Sequence, residues 1–170
     1  MITIIDIETT SYNSSPSPYD PLNYLVSVGY KSEDIEEYLC FKHNENKGDQ
    51  YARDYLDEQL GRTTLLVGHN IKFDLSWLLE CGFKYDGKVY DTMIYEYLKL
   101  GGVPGPLDLS SCCSRYGIGT KDDKPAQYFK SGIGFEDMPW DIVEKYGRND
   151  VTITWELFQK QKEELNATTT

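Results

Sequence analysis

The opening strand restricts the fold of this chain more than any other stretch. Residues 2–7 read ITIIDI, with Ile2 and Ile4 on one face and Ile5 and Ile7 on the other. Successive side chains of a strand point to opposite faces, so a strand apolar on both is central and covered on both sides. Further strands are expected near 24–30, near 35–42 and at 65–67, the last a buried Leu65-Leu66-Val67 ending at Gly68. Apolar periodicity and turn signals such as GGVPGP place helices at about 49–60, 71–81, 92–99 and 107–116. A last helix opens with Pro139 in its first turn and runs to about 164. The Ser/Pro loop 11–21 and the Gly/Lys-rich segment 117–138 read as irregular. Three strands, a helix, a strand and then helices make a mixed-sheet α/β domain.

With 170 residues, 39% of them apolar, the chain suits one domain with a proper core. That domain is expected over residues 1–165, followed by a frayed tail at 166–170. No apolar run approaches the roughly 18 residues of a membrane helix, and MITIID has neither the basic nor the apolar region of a secretion signal. The expected location is the cytosol, or the host cytoplasm for a viral protein. Cys40, Cys81, Cys112 and Cys113 form no CxxC pair and read as reduced packing residues. The net charge of −11 excludes a broad basic face for nucleic acid. A polyanionic substrate must then be met locally, by carboxylates whose sign divalent cations reverse.

Three acidic motifs stand out. Asp6 and Glu8 lie two apart on the first strand, on one face at its C-terminal end, where ligand sites of open α/β sheets gather. Alone, the pair is equally a strand running out into solvent, although adjacent carboxylates repel unless a cation or proton separates them. In Gly68-His69-Asn70-Ile71-Lys72-Phe73-Asp74, Gly68 allows a strand-to-helix turn, Asn70 suits the N-cap, and Asp74 ends the first helical turn. Alone this is a capped helix with a favourable dipole charge. His69 reads as a structural turn residue and His43, within KHNENK, as a solvated loop histidine. In YGRND, Tyr146 and Asp150 share the apolar face of Ile142, Val143, Ile153 and Leu157. A carboxylate and a phenol on a core-facing stripe, around a glycine costing about 1 kcal/mol relative to alanine, imply selection for something other than helix stability.

Together these motifs resemble the proofreading 3′→5′ exonucleases of the DEDD superfamily: DIET for the first motif, GHNIKFD for the second and Tyr-x3-Asp, here YGRND, for the third. The intervals, 68 residues from Asp6 to Asp74 and 76 from Asp74 to Asp150, are similar to those of the exonuclease domain of family A DNA polymerases. Tyr90-Asp91-Thr92, Leu107-Asp108-Leu109 and Arg115-Tyr116-Gly117 are accessory matches, so the resemblance spans about residues 1–160. Position 145 is Lys145, which disfavours the branch with a histidine five residues before the last aspartate.

The resemblance implies an α/β, RNase H-like exonuclease fold with a central mixed five-stranded sheet flanked by helices. It implies hydrolysis of the terminal phosphodiester of single-stranded or frayed DNA, with release of nucleoside 5′-monophosphates. Two divalent cations, Mg²⁺ or Mn²⁺, are the implied cofactors. Asp6 would bridge them, Glu8 and Asp150 complete the first site, and Asp74 hold the second mainly through water. Tyr146 would orient the attacking water, an ordinary phenol with pKa near 10 being a poor base at neutral pH. Thr9 would meet the terminal nucleotide, and Asn70 the sugar-phosphate or the turn of its own motif. Phe73 reads as core ahead of a base-stacking wedge. The implied partners are DNA 3′ ends and a polymerase domain or replication protein, with no membrane. The chain reads as a stand-alone nuclease, viral among the expected sources, or as an excised proofreading domain. The second reading is an RNA 3′-end trimmer of the ribonuclease D type, and the third a non-catalytic module that binds nucleic-acid ends.

Overall fold

The computed structural model describes residues 1–119 and 124–168. One mixed sheet runs in the order β3-β2-β1-β4-β5, from β1 (Ile2–Thr9), β2 (Leu25–Lys31), β3 (Glu36–Cys40), β4 (Leu65–Gly68) and β5 (Lys88–Asp91). β1 is central, antiparallel to β2 and parallel to β4. The strand with apolar residues on both faces is therefore the one covered on both faces. On one side Ile5 and Ile7 pack with Leu56 and Leu60 of α1 (Ala52–Arg62) and with Trp77 and Leu78 of α2 (Ile71–Glu80). On the other, Ile4 meets Val151 and Phe158 of the long helix α6 (Trp140–Thr168). Each isoleucine so buried contributes about 1.5–3 kcal/mol. The alternation then fixes the site, because Asp6 and Glu8 share parity with Ile4 and must face α6.

Helices α3 (Thr92–Lys99), α4 (Leu109–Arg115) and α5 (Lys124–Lys130) pack against α6. Two elements escape the sequence pattern. β5 is only four residues long and half exposed, and its ladder to β4, Leu65↔Lys88 through Gly68↔Asp91, supplies what its composition does not. α5 lies within the segment read as irregular, of which residues 120–123 fall outside the described residues. At the other end α6 continues to Thr168, through residues 166–168 of the expected frayed tail. Among the described residues no helix is long and apolar enough to cross a membrane.

Candidate active site

The C-terminal end of β1 carries the first two acids, and α6 lays the third over them. Ligand oxygens of Asp6, Glu8 and Asp150 all lie within 4.8 Å of one another. Asp150 is 2% exposed and Glu8 8%, while Asp6 is half-buried. Like charges at that separation in a poorly solvated site raise one another's energy steeply. A divalent cation removes that repulsion, and an all-oxygen donor set suits Mg²⁺ or Mn²⁺ better than a thiophilic metal. The residues present therefore fit such an ion.

Asp74 stands beside this trio rather than within it. It is 4% exposed, and its Oδ1 accepts a hydrogen bond from the Ile7 amide at 3.0 Å. Burial, and then the neighbouring Asp6 carboxylate, push its carboxyl well above the usual range against the pull of the Asp74 and Ile7 amides.

Tyr146, one turn before Asp150 on α6, is 8% exposed and packs against Phe135 at 5.7 Å between ring centroids. Burial and the surrounding Glu8, Asp150 and Asp6 carboxylates, with a hydrogen bond to Asp150, hold its phenol far above its ordinary pKa. The hydroxyl is therefore neutral and can donate. Glu8 and Thr9 form one wall of a groove of about 550 Å³ that Phe73, Phe129, Ile133 and Phe135 continue. Asn70 opens instead onto a second groove of about 370 Å³, with Lys72 and Tyr19, and the two meet at Pro16 and Phe73. Phe73 is thus both core and wall, packing on the main cluster while lining both grooves.

Local details of the second motif differ from the sequence expectation. The residue with left-handed backbone is Asn70 (φ 63°, ψ 47°), and its side chain makes no capping bond. The cap comes from Asp91 at the end of β5, which accepts from the Asn70 and Ile71 amides at 3.0 and 3.1 Å and also from Met93 and Ile94 of α3. One carboxylate thereby serves two helix starts. Gly68 sits at a close approach, since a Cβ there would lie 2.7 Å from Ile71 Cδ1 and 3.2 Å from Ile71 Cβ.

His69 bridges Thr92 Oγ1 (2.9 Å) and the Leu107 carbonyl (2.7 Å), in keeping with a structural role. His43 is not solvated: it is 6% exposed, with Nε2 2.9 Å from the Met138 carbonyl and Nδ1 accepting from the Glu45 and Asn46 amides. Its partner lies 95 residues away, beyond the reach of the polar local sequence that suggested solvent. Sequence reasoning also missed Phe129 and Phe135, which line the first groove, and Tyr38, whose ring occupies the space beside Gly147. The signal for Tyr38 was Gly147, a glycine inside a helix that leaves room for a neighbour.

The family model for the 3′-5′ exonuclease of the DNA polymerase A type matches residues 4–166. DNA polymerase I of Aquifex aeolicus is 37% identical over 103 residues, which is 59% of this chain and 16% of that protein. The chain thus spans about a sixth of the length of that relative. In fold, it superposes on Brucella melitensis NrnC with bound Mg²⁺ at a TM-score of 0.65 and 18% identity, covering 99% of this chain and 75% of that one. Escherichia coli RNase D, an exoribonuclease involved in structured RNA processing, superposes at a TM-score of 0.67 and 16% identity over 99% of this chain and 40% of that one. With three carboxylates gathered on an RNase H-like α/β frame and nearly its whole length matched, the chain belongs to the 3′-5′ exonuclease domain family of the DNA polymerase A type.

Proposed function

We propose that the chain is a metal-dependent 3′→5′ exonuclease of the tyrosine (DEDDy) branch, cutting the terminal phosphodiester of single-stranded or frayed DNA and releasing nucleoside 5′-monophosphates. The observation that carries this reading is the approach of Asp6, Glu8 and Asp150 to within 4.8 Å beside an aromatic groove. Those three would hold one Mg²⁺ or Mn²⁺, and Asp6 with Asp74 would hold a second. Bound divalent ions lower the pKa of an attacking water and stabilise a departing oxygen. Tyr146, kept neutral by burial and its acidic neighbours, orients the nucleophile by hydrogen bonding and does not take its proton. Phe73, Phe129 and Phe135 offer faces on which bases stack without regard to sequence, each stack contributing about 1–3 kcal/mol. Thr9 meets the terminal nucleotide, and Asn70 the strand beyond it or the turn of its own motif. With a net charge of −11 the hold on the strand is weak and distributive.

DNA is favoured by the 37% identity to a DNA polymerase I. Trimming of RNA 3′ ends is the second reading, supported by the likeness in fold to RNase D. The test is Mg²⁺- or Mn²⁺-dependent release of mononucleotides from matched 3′-labelled DNA and RNA single strands. Faster cleavage of RNA selects the second reading. Release that survives combined Asp6→Ala and Glu8→Ala overturns both, and a wild type that binds ends without cutting them makes the chain an end-binding module.

A further inference from the structure

Gly147 sits between Tyr146 and Asp150, in a helix interior that favours almost any other residue. A Cβ added there would run into the ring carbons and hydroxyl of Tyr38, so that ring rests on bare helix backbone. Tyr38 itself is 5% exposed. The sheet register shows what the ring joins. Tyr38 on β3 pairs with Gly29 on β2, and Gly29 pairs with Asp6 on β1. Directly paired residues share a face, so Asp6, the bare Gly29 and Tyr38 form one row beneath α6. The next row holds Glu8 and Ser27, and the Tyr38 hydroxyl lies 2.8 Å from Ser27 Oγ. The phenol therefore spans from the Asp6 row to the Glu8 row. Gly29 completes the seat, because a Cβ there would lie 2.7 Å from Val151 Cγ1 and 3.4 Å from the Gly147 carbonyl. Trp140 flanks the ring at 5.8 Å between centroids, and the Arg148 guanidinium lies 6.0 Å from it.

The geometry points to Tyr38 as a positioning residue: standing in one row with Asp6 and Gly29 and set against the backbone of Gly147, its ring sets the α6 turn that presents Tyr146 and Asp150 to Asp6 and Glu8. This rests on the exonuclease reading above. Tyr146 and Asp150 flank the contact within one turn, so any shift of that turn moves both. Reactive constellations tolerate only about 0.5 Å of such movement. The hydroxyl of Tyr38 is engaged with Ser27 Oγ at 2.8 Å, away from the turn that the ring supports. Its contribution is shape.

The test measures kcat, KM and Mn²⁺ affinity, the last by electron paramagnetic resonance of the free ion, on variants shown to be folded by circular dichroism. Tyr38→Leu is expected to lower kcat and Mn²⁺ affinity by about 10–100-fold, as when a partner that orients a metal ligand is lost, with KM within about threefold. Tyr38→Phe keeps the ring and stays within about threefold of wild type on all three. Gly147→Ala attacks the same contact from the helix side, with a substitution that favours helix, and should lower kcat and affinity similarly. In the double variant Tyr38→Leu/Gly147→Ala the methyl has room, so the combined loss is smaller than the product of the single losses. Single losses that multiply, or a folded Gly147→Ala with wild-type kcat and Mn²⁺ affinity, overturn the proposal. A wild type without hydrolysis removes the exonuclease reading, and Mn²⁺ affinity then decides the role of Tyr38 alone. A wild type that binds no Mn²⁺ overturns both.

Discussion

Two buried acidic clusters lie along α6, and they are built on opposite plans. Near its C-terminal half, Glu96 is 1% exposed and meets donors at each oxygen: Arg115 Nε at 2.9 Å, the Tyr116 hydroxyl at 2.7 Å and Gln161 Nε2 at 3.0 Å. Nearer its N-terminus, Asp6, Glu8 and Asp150 turn toward one another. The first arrangement offsets the cost of burying a charge with a cation and hydrogen bonds from the protein itself. The second brings three carboxylates to one point, where a divalent cation would lower the cost of their mutual repulsion. A buried carboxylate thus marks function through the company it keeps, and depth alone says little.

That contrast can be broken at either cluster. The largest effect belongs to combined Asp6→Ala and Glu8→Ala: hydrolysis should fall by several kcal/mol of barrier, on the order of 10³-fold or more in rate. In the absence of metal the same variant should melt no lower than wild type, since like charges have been removed; a sharply lower melting temperature would make the trio a structural cluster. Tyr146→Phe should lose about 10²-fold in kcat with Mn²⁺ affinity retained, and an unchanged kcat would remove the water-orienting role.

Adding Mg²⁺ at about 100 times its Kd should stabilise the fold by about 2.7 kcal/mol, a rise in Tm of roughly 5–10 °C that Asp150→Asn abolishes. Equal rises in both proteins would place the ion elsewhere. At the other cluster, Glu96→Ala should cost about 2 kcal/mol of stability, less than a fully buried pair because the Arg115 side chain keeps 30% exposure. Its rate per folded molecule should stay unchanged, and chemical denaturation with parallel assays separates the two quantities. The smallest effect serves as the control, with a carboxylate outside both clusters. Asp108 caps α4 through the Ser111 hydroxyl and amide, which hold its carboxyl below the usual range. A folded-state pKa below the unfolded one adds stability above the ordinary aspartate range, lost as pH falls through the folded pKa. Asp108→Ala should therefore cost about 1 kcal/mol at neutral pH and progressively less in acid.

Much of the site was legible in the sequence because its residues obey local rules. Strand parity put Asp6 and Glu8 on the face of Ile4, and helical spacing put Asp150 one turn from Tyr146. What misled the reading was, in each case, a distant partner. The cap of α2 came from Asp91 and not from Asn70, twenty-one positions nearer in the chain; the His43 site was completed by the Met138 carbonyl; and β5 was held as a strand by its ladder to β4. α5, with the Phe129 that it brings to the groove, lay among glycines and lysines that mask helical periodicity.

By itself the sequence determined that β1 is central, that three acidic motifs stand in order at family spacing, and that Gly147 marks a place where a helix gives up stability. Only the tertiary structure decided how these meet: which carboxylates share one point, that Asp74 holds the Ile7 amide beside them, and that the space left by Gly147 belongs to the ring of Tyr38. The reason is physical. Periodicity and parity act over a few residues, whereas the energy of gathered charges and the fit of a ring against bare backbone depend on distances that exist only after the sheet and α6 have packed.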